Sequence, residues 1–347
     1  MNTKKIFLGT SAVALVAFGA TAMASTSAST TVNNSQPANS PGLTAGLISV
    51  TGLSNAGNLA GAVGGFALGG GQTAGGLNMK RFALSNNKTG AAAAAGGSQW
   101  NAWGAYSRSN IAYNYTPLQS SGNVDVFLGG VDYTFDSNMV FGVAVARDDT
   151  DVDLTFSGGK LKGKGWTISP YLGIPINKNL AFDATLGLGR TDIDTTVGGV
   201  GGSTSSDRTV WSLGMTYREN IGAWNLSARG AYLDVRDKLG AYTLTNGTFV
   251  PDGTVNVSQV RFTGQAGYTI DAITPYASLT YINDIRRPDQ APVGGVAAAN
   301  DSDAWTVGLG FRFRIDRSVY GGFQYSTEKG RSEVKNDNYQ FNIGARF

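Results

Sequence analysis

From Trp100 to the C-terminus the sequence repeats one pattern, in which segments of roughly ten residues with period-2 alternation are separated by connections that are alternately short and long. About twelve segments begin near Trp100, Val124, Met139, Trp166, Leu180, Thr209, Trp224, Val257, Ile273, Trp305, Val319 and Asn338. The short connections are Asp136-Ser137-Asn138, Asn177-Lys178-Asn179, Asn220-Ile221-Gly222, Asp271-Ala272 and Asp316-Arg317, all built from turn-forming residues. Between them lie polar stretches at 109–122, 150–165, 192–207, 234–254, 285–302 and 328–335, read as long loops.

The alternation has a chemical polarity. Trp211, Leu213, Met215 and Tyr217 alternate with Ser212, Gly214, Thr216 and Arg218, and Trp305, Val307, Leu309, Phe311 and Phe313 alternate with Thr306, Gly308, Gly310, Arg312 and Arg314. A sandwich in water carries charge on its outer face and Val, Ile and Leu within. Here the apolar face repeatedly begins or ends on Trp or Tyr, as at the two interfaces of a membrane barrel, with small and polar residues turned to a lumen. Glycine is abundant, 49 of 347 residues, while charged residues are 15%, which fits repeated strands with close backbones. These features predict an all-β fold, a closed 12-stranded antiparallel transmembrane barrel over 97–347. An even strand number leaves both barrel ends on the short-turn side, read as periplasmic, with the long loops extracellular.

The first two dozen residues carry Lys4 and Lys5, an apolar stretch from Ile6 to Phe18, and Ala22-Met23-Ala24, which predicts a signal peptide over 1–24 and passage through the Sec export machinery. No later segment reaches the roughly 20 apolar residues of a spanning helix. Removing Lys4 and Lys5 lowers the formal charge from +3 to +1, which gives no reason to expect a nucleic-acid partner. Residues 25–96 form a short Gly-, Ala- and Ser-rich segment, read as a reduced passenger or linker, or as a helix in the lumen.

Cysteine and histidine are both absent, which excludes disulfides, thiol catalysis, imidazole metal ligands and His-dependent triads. The Gly-rich runs are not followed by the Lys-Ser or Lys-Thr of a phosphate loop. No enzyme, cofactor or metal is expected. Asp148, Asp149, Asp151 and Asp153 could in principle hold calcium, but without fixed loop spacing they read as the solvated extension of a hairpin.

The segment order resembles the autotransporter β-domain, the translocator of type V secretion. The resemblance rests on Gln99-Trp100-Asn101-Ala102-Trp103-Gly104-Ala105-Tyr106, on 126–135 followed by 138–144, on Tyr171-Leu172-Gly173, on Leu186-Gly187-Leu188-Gly189, and on the terminal Ile343-Gly344-Ala345-Arg346-Phe347. It implies insertion into the outer membrane among lipid and lipopolysaccharide as a monomer. It also implies folding by the barrel-assembly machinery, which would read the closing strand through Phe347, Phe341 and Tyr339. In that strand Tyr339, Phe341, Ile343, Ala345 and Phe347 are expected to face lipid. Some autotransporters cleave an Asn-Asn bond in the pore, so Asn86 and Asn87 are weighed as such a bond, with an ordinary loop pair as the plainer reading. Residues 25–96 are far shorter than a β-helical passenger, so the segment would be translocated, displayed or kept as a plug. A porin-like channel for small solutes, or an adhesin acting through its loops, are the competing readings.

Turning the aromatic-rich parity outward places Arg218, Arg229, Arg261, Arg312, Arg314 and Arg346 in the lumen against Asp132 and Asp183. Such a lumen could steer anions or grip a plug; ordinary barrel polarity is the plainer account.

Overall fold

A computed structural model of the chain describes residues 99–287, 299, 301–315 and 318–347. The predicted signal peptide, the segment 25–96, the Asn86-Asn87 pair and the turn Asp316-Arg317 lie outside the described residues. The strands are β1 (Trp100–Tyr113), β2 (Ser120–Thr134), β3 (Val140–Leu154), β4 (Gly159–Pro175), β5 (Leu180–Val197), β6 (Val200–Ile221), β7 (Trp224–Leu239), the two-residue β8 (Tyr242–Thr243) and β9 (Phe249–Val250), then β10 (Gly253–Tyr268), β11 (Ile273–Arg286), β12 (Asp303–Arg314), β13 (Val319–Lys329) and β14 (Val334–Arg346). Twelve of them close into one barrel, in which β7 pairs with β10 and β1 with β14, while β8 and β9 form a separate small hairpin. Closure leaves no open edge to aggregate or to face lipid unpaired.

The twelve strands pair antiparallel, so side chains of one parity face outward and the rest inward. On β3 the even residues from Val140 to Leu154 are buried and the odd ones exposed. The outward set forms an apolar band: Phe127, Val143, Val145, Ile168, Leu188, Leu213, Phe262, Leu279, Val307, Leu309 and Ile343 are all exposed. From Trp305 to Phe313 this band runs nine residues, about 20 Å tall for a strand tilted by roughly 40°. So much contiguous apolar surface is untenable in water and matches the hydrocarbon core of a bilayer. Paired rings bound it, Tyr106 with Phe127, Tyr281 with Trp305 and Tyr325 with Tyr339 on one side, Trp100 with Tyr133 and Trp224 with Tyr268 on the other.

The turns at one rim are tight. Asn138, Gly222 and Asp271 take positive φ of 62°, 61° and 51°, and the Asn177 carboxamide oxygen accepts the N–H groups of Asn179 and Leu180, each at 2.9 Å. Asn, Asp and Gly tolerate these conformations, which is why they mark the turns.

At the other rim the sequence reading needs correction. The stretches 150–165 and 192–207 are not loops. β3 and β4 continue to Leu154 and Gly159, and β5 and β6 run on to a two-residue turn at Gly198-Gly199, with φ of 55° and 81°, as a hairpin turn of the primed kind requires. Their polar residues misled because they are exposed beyond the apolar band. Asp149 and Asp192 flank Lys164, Asp151 and Asp194 flank Lys162, and Asp153 lies opposite Lys160 at 2.9 Å. Carboxylates and ammonium groups thus alternate across the strands of this hairpin, with Asp153 and Lys160 in an ion pair. Asp148 is a separate case, because its parity turns it inward. The inner face of this extension is apolar: Val152, Leu154, Leu161, Ile193 and Val197 pack with Tyr115 and Leu118 from the β1–β2 connection.

Candidate functional site

The lumen wall is uneven. Along β1–β3 it carries a buried group of small and apolar residues, Ala105, Val124, Val126, Leu128, Ala144 and Ala146, together with the polar Asn101, Ser107, Asp132 and Asp148. The other strands contribute Arg208, Arg218, Gln259, Gln265, Gln324, Gln340 and Asn342. The asymmetry follows from inward-parity residues, which the barrel need not make uniform.

Four inward aromatic residues lie directly across from inward glycines: Trp103 from Gly130, Tyr171 from Gly142, Tyr276 from Gly310 and Tyr320 from Gly344. A Cβ at Gly130 would sit 2.6 Å from the Trp103 ring and one at Gly310 would sit 2.6 Å from the Tyr276 ring, so each glycine makes room for its partner. The hydroxyls then tie the wall together. Trp103 Nε1 donates to Tyr171 Oη at 2.9 Å and Tyr171 donates to Asp132 at 3.0 Å. Asn101 Nδ2 donates to Asp132 at 2.8 Å, and Tyr320 donates to Asn101 at 2.7 Å. This network spans β1, β2, β4 and β13, and so crosses the β1–β14 closure. Turning the aromatic-rich parity outward did not single out these four inward rings; the signal available was a cross-strand glycine at the same inward parity.

Asp183 is fully buried and receives both terminal nitrogens of Arg229, at 2.5 and 2.8 Å. Asp132 belongs to the aromatic network. Arg261 donates twice to Gln259, at 2.9 and 2.7 Å. Arg312 reaches Gln265 and lies 4.4 Å from the centre of the Tyr276 ring, and Arg346 lies 5.2 Å from that of Tyr320. Arg314 is half-buried opposite Tyr320, and Arg218 is buried, 8% exposed. Thus Arg229 joins Asp183, whereas Arg261, Arg312 and Arg346 find amide or aromatic partners. The terminal-strand residues Tyr339, Phe341, Ile343 and Phe347 are exposed on the outer face, Ala345 is half-buried, and Gln340, Asn342 and Gly344 are buried.

A further ion group was not anticipated. Arg208 pairs with Asp237 at 2.9 Å and Asp148 at 3.5 Å, all three side chains 1% exposed. It binds β6 and β7 to β3 across the lumen toward the long-hairpin rim. Extending the β6 parity back from Arg218 reaches Arg208, but the partner from β3 follows only from the closed barrel. Among the described residues, no group of three His, Cys, Asp or Glu could hold a metal ion.

The model of the autotransporter β-domain matches residues 101–326. The chain belongs to this family. Such barrels lie in the bacterial outer membrane and form the translocator part of type V secretion systems. Solved structures agree on the fold. The translocator domain of autotransporter NalP from Neisseria meningitidis is similar with a TM-score of 0.61 at 13% identity, covering 78% of this chain and 93% of that one. The β domain of the Bordetella autotransporter BrkA gives 0.59 at 16% identity, covering 72% and 100%. The transport unit of AIDA-I from Escherichia coli gives 0.57 at 13%, covering 78% and 97%. No curated protein matches the sequence.

Proposed function

We propose that this autotransporter barrel sits with its tight turns and both barrel ends in the periplasm and its long hairpins outside. In this reading it translocates, displays or is plugged by its own residues 25–96. The carrying observation is the juxtaposition of the two ends: Trp100 and Phe347 lie on paired strands at the tight-turn rim, with the Phe347 N–H donating to the Trp100 carbonyl at 3.1 Å. Gln99, the first described residue, is therefore at the tight-turn rim beside the closing strand. The uncharged, Gly- and Ala-rich stretch from Gly42 to Gly76 suits a lumen whose β1–β3 wall carries Ala and Val. Assembly by the barrel machinery through Phe347, Phe341 and Tyr339 belongs to the same reading, as does the absence of a catalytic role.

The chain has no cysteine, so single-cysteine labelling is clean. Ser35→Cys and Ser49→Cys would be probed on intact cells with a membrane-impermeant maleimide. Labelling of both supports display; protection of both until the membrane is dissolved supports a plug. Recovery of a shortened barrel lacking residues 25–96, together with a released fragment, supports translocation. Loss of both positions by cleavage at the inner membrane, before the barrel assembles, would contradict all three.

A further inference from the structure

Arg218 lies on β6, four residues before the Gly222 turn, with its backbone N–H held by the Asn179 carbonyl at 2.8 Å. Its side chain has the inward parity and is 8% exposed. Among the described residues its guanidinium makes no hydrogen bond or ion pair, and Nε is buried without a partner. The charges that act on it are the guanidiniums of Arg312 and Arg229 and the carboxylate of Asp183. Asp183 is already committed to Arg229 through two hydrogen bonds. The buried Arg218 thus has two guanidiniums and one already committed carboxylate around it, where an uncompensated charge is costly.

Among the described residues no carboxylate pairs with Arg218. Glu219, next along β6, faces outward and accepts from Tyr217 at 3.1 Å. Asp132 accepts from Asn101 and Tyr171. No Asp or Glu precedes Asp125, so residues 25–96 contain no carboxylate at all. A second buried donor lies in the same row of the wall. Arg218 is opposite Ser227, which is opposite Gln265, whose Nε2 is buried without a hydrogen-bond partner.

We propose that Arg218, flanked by Arg229 and Arg312 and joined by the Gln265 amide, forms a binding site for a small soluble oxyanion at the tight-turn end of the lumen. A guanidinium fork matches two oxygens of a phosphate, sulfate or carboxylate, and Gln265 supplies a further N–H. The site belongs to the barrel wall and does not depend on the fate of residues 25–96.

The test uses the mature protein in detergent, with inorganic phosphate titrated against sodium chloride at constant ionic strength. The readout is the midpoint temperature of the heat-modifiable gel shift. The wild-type midpoint should rise with phosphate and saturate, by about 5 °C at a hundredfold excess over Kd. Arg218→Met should lose this rise and, without phosphate, melt no lower than wild type, because it removes an uncompensated charge. Arg218→Lys keeps the charge without the fork and should need roughly tenfold more phosphate, for the loss of one charge-assisted hydrogen bond. No phosphate-specific rise in wild type would overturn the proposal. So would an equal rise in Arg218→Met, or a phosphate-free Arg218→Met midpoint well below that of wild type, since each shows the charge to be met elsewhere.

Discussion

Tyr171 on β4 lies across from Gly142 on β3, and its ring fills the space that any side chain at Gly142 would need. From there the hydroxyl reaches Asp132 while accepting from Trp103. Gly142→Ala should displace the ring and cost about 1–3 kcal/mol through overpacking and the lost hydrogen bonds. In a Tyr171→Ala background the same substitution should cost far less. Thermal unfolding of the four proteins of this cycle measures the coupling, and strict additivity would show that the pair does not act as a unit.

Asp183 is fully buried and, among the described residues, is the carboxylate in hydrogen-bond contact with Arg229. Asp183→Asn leaves that guanidinium without its counter-ion and should destabilise the barrel by about 3–5 kcal/mol. Asp183→Leu combined with Arg229→Met should recover much of the loss. Denaturant unfolding in lipid vesicles reads both effects.

The connections after β11 and β13 are clasped together. Asp301 accepts from the Ser332 N–H at 2.6 Å, while Arg331 bridges Asp284 at 2.7 Å and Glu328 at 2.8 Å. The Ser332 hydrogen bonds hold the Asp301 carboxyl below its ordinary value of 3.8. A depressed carboxylate stabilises above its unfolded pKa and ceases to do so as pH falls through the folded one, so the clasp should be complete above about pH 5 and weaken only in stronger acid. Amide protection factors at residues 301–303 and 331–333, taken against intrinsic exchange at each pH, should therefore be unchanged from neutrality to that point and fall below it. Arg331→Ala should accelerate exchange at every pH.

Phe347 donates its backbone N–H across the closure, yet its ring is 66% exposed on the outer face. Deleting it removes one hydrogen bond of the seam and little packing, so stability of barrels that do form should change by only about 1 kcal/mol. In the reading above, where the ring is an assembly signal, the yield of heat-modifiable barrel should fall severalfold while export to the periplasm continues. Pulse-chase fractionation separates the two effects.

How far these features could be read from sequence depended on the range of each interaction. The outward series Trp305 to Phe313 and Tyr339 to Phe347 shows in the period-2 pattern, because lipid demands apolar side chains at every second position. The turn at Asp136-Ser137-Asn138 shows because its backbone needs Asn at a positive φ. The length of the β3–β6 hairpins did not show, since Asp149 to Asp153 and Lys160 to Lys164 face water on both counts, as loop residues or as outer strand residues. The pairing of Arg208 with Asp148 was hidden for another reason: it joins strands three apart around the wall, and only closure brings them within 3.5 Å. Grouping Asp148 with its outward neighbours obscured it further.

The central claim is an outer-membrane barrel with tight turns inside and long hairpins outside, and its most direct test is accessibility of single cysteines at its two rims. Ser203 lies in the exposed part of the β5–β6 hairpin and Ser137 in the exposed turn after β2. On intact cells an impermeant maleimide should label Ser203→Cys and leave Ser137→Cys untouched until the outer membrane is permeabilised. Labelling of Ser137→Cys on intact cells while Ser203→Cys is protected would reverse the orientation, and recovery of either variant as a soluble periplasmic protein would contradict the membrane barrel itself.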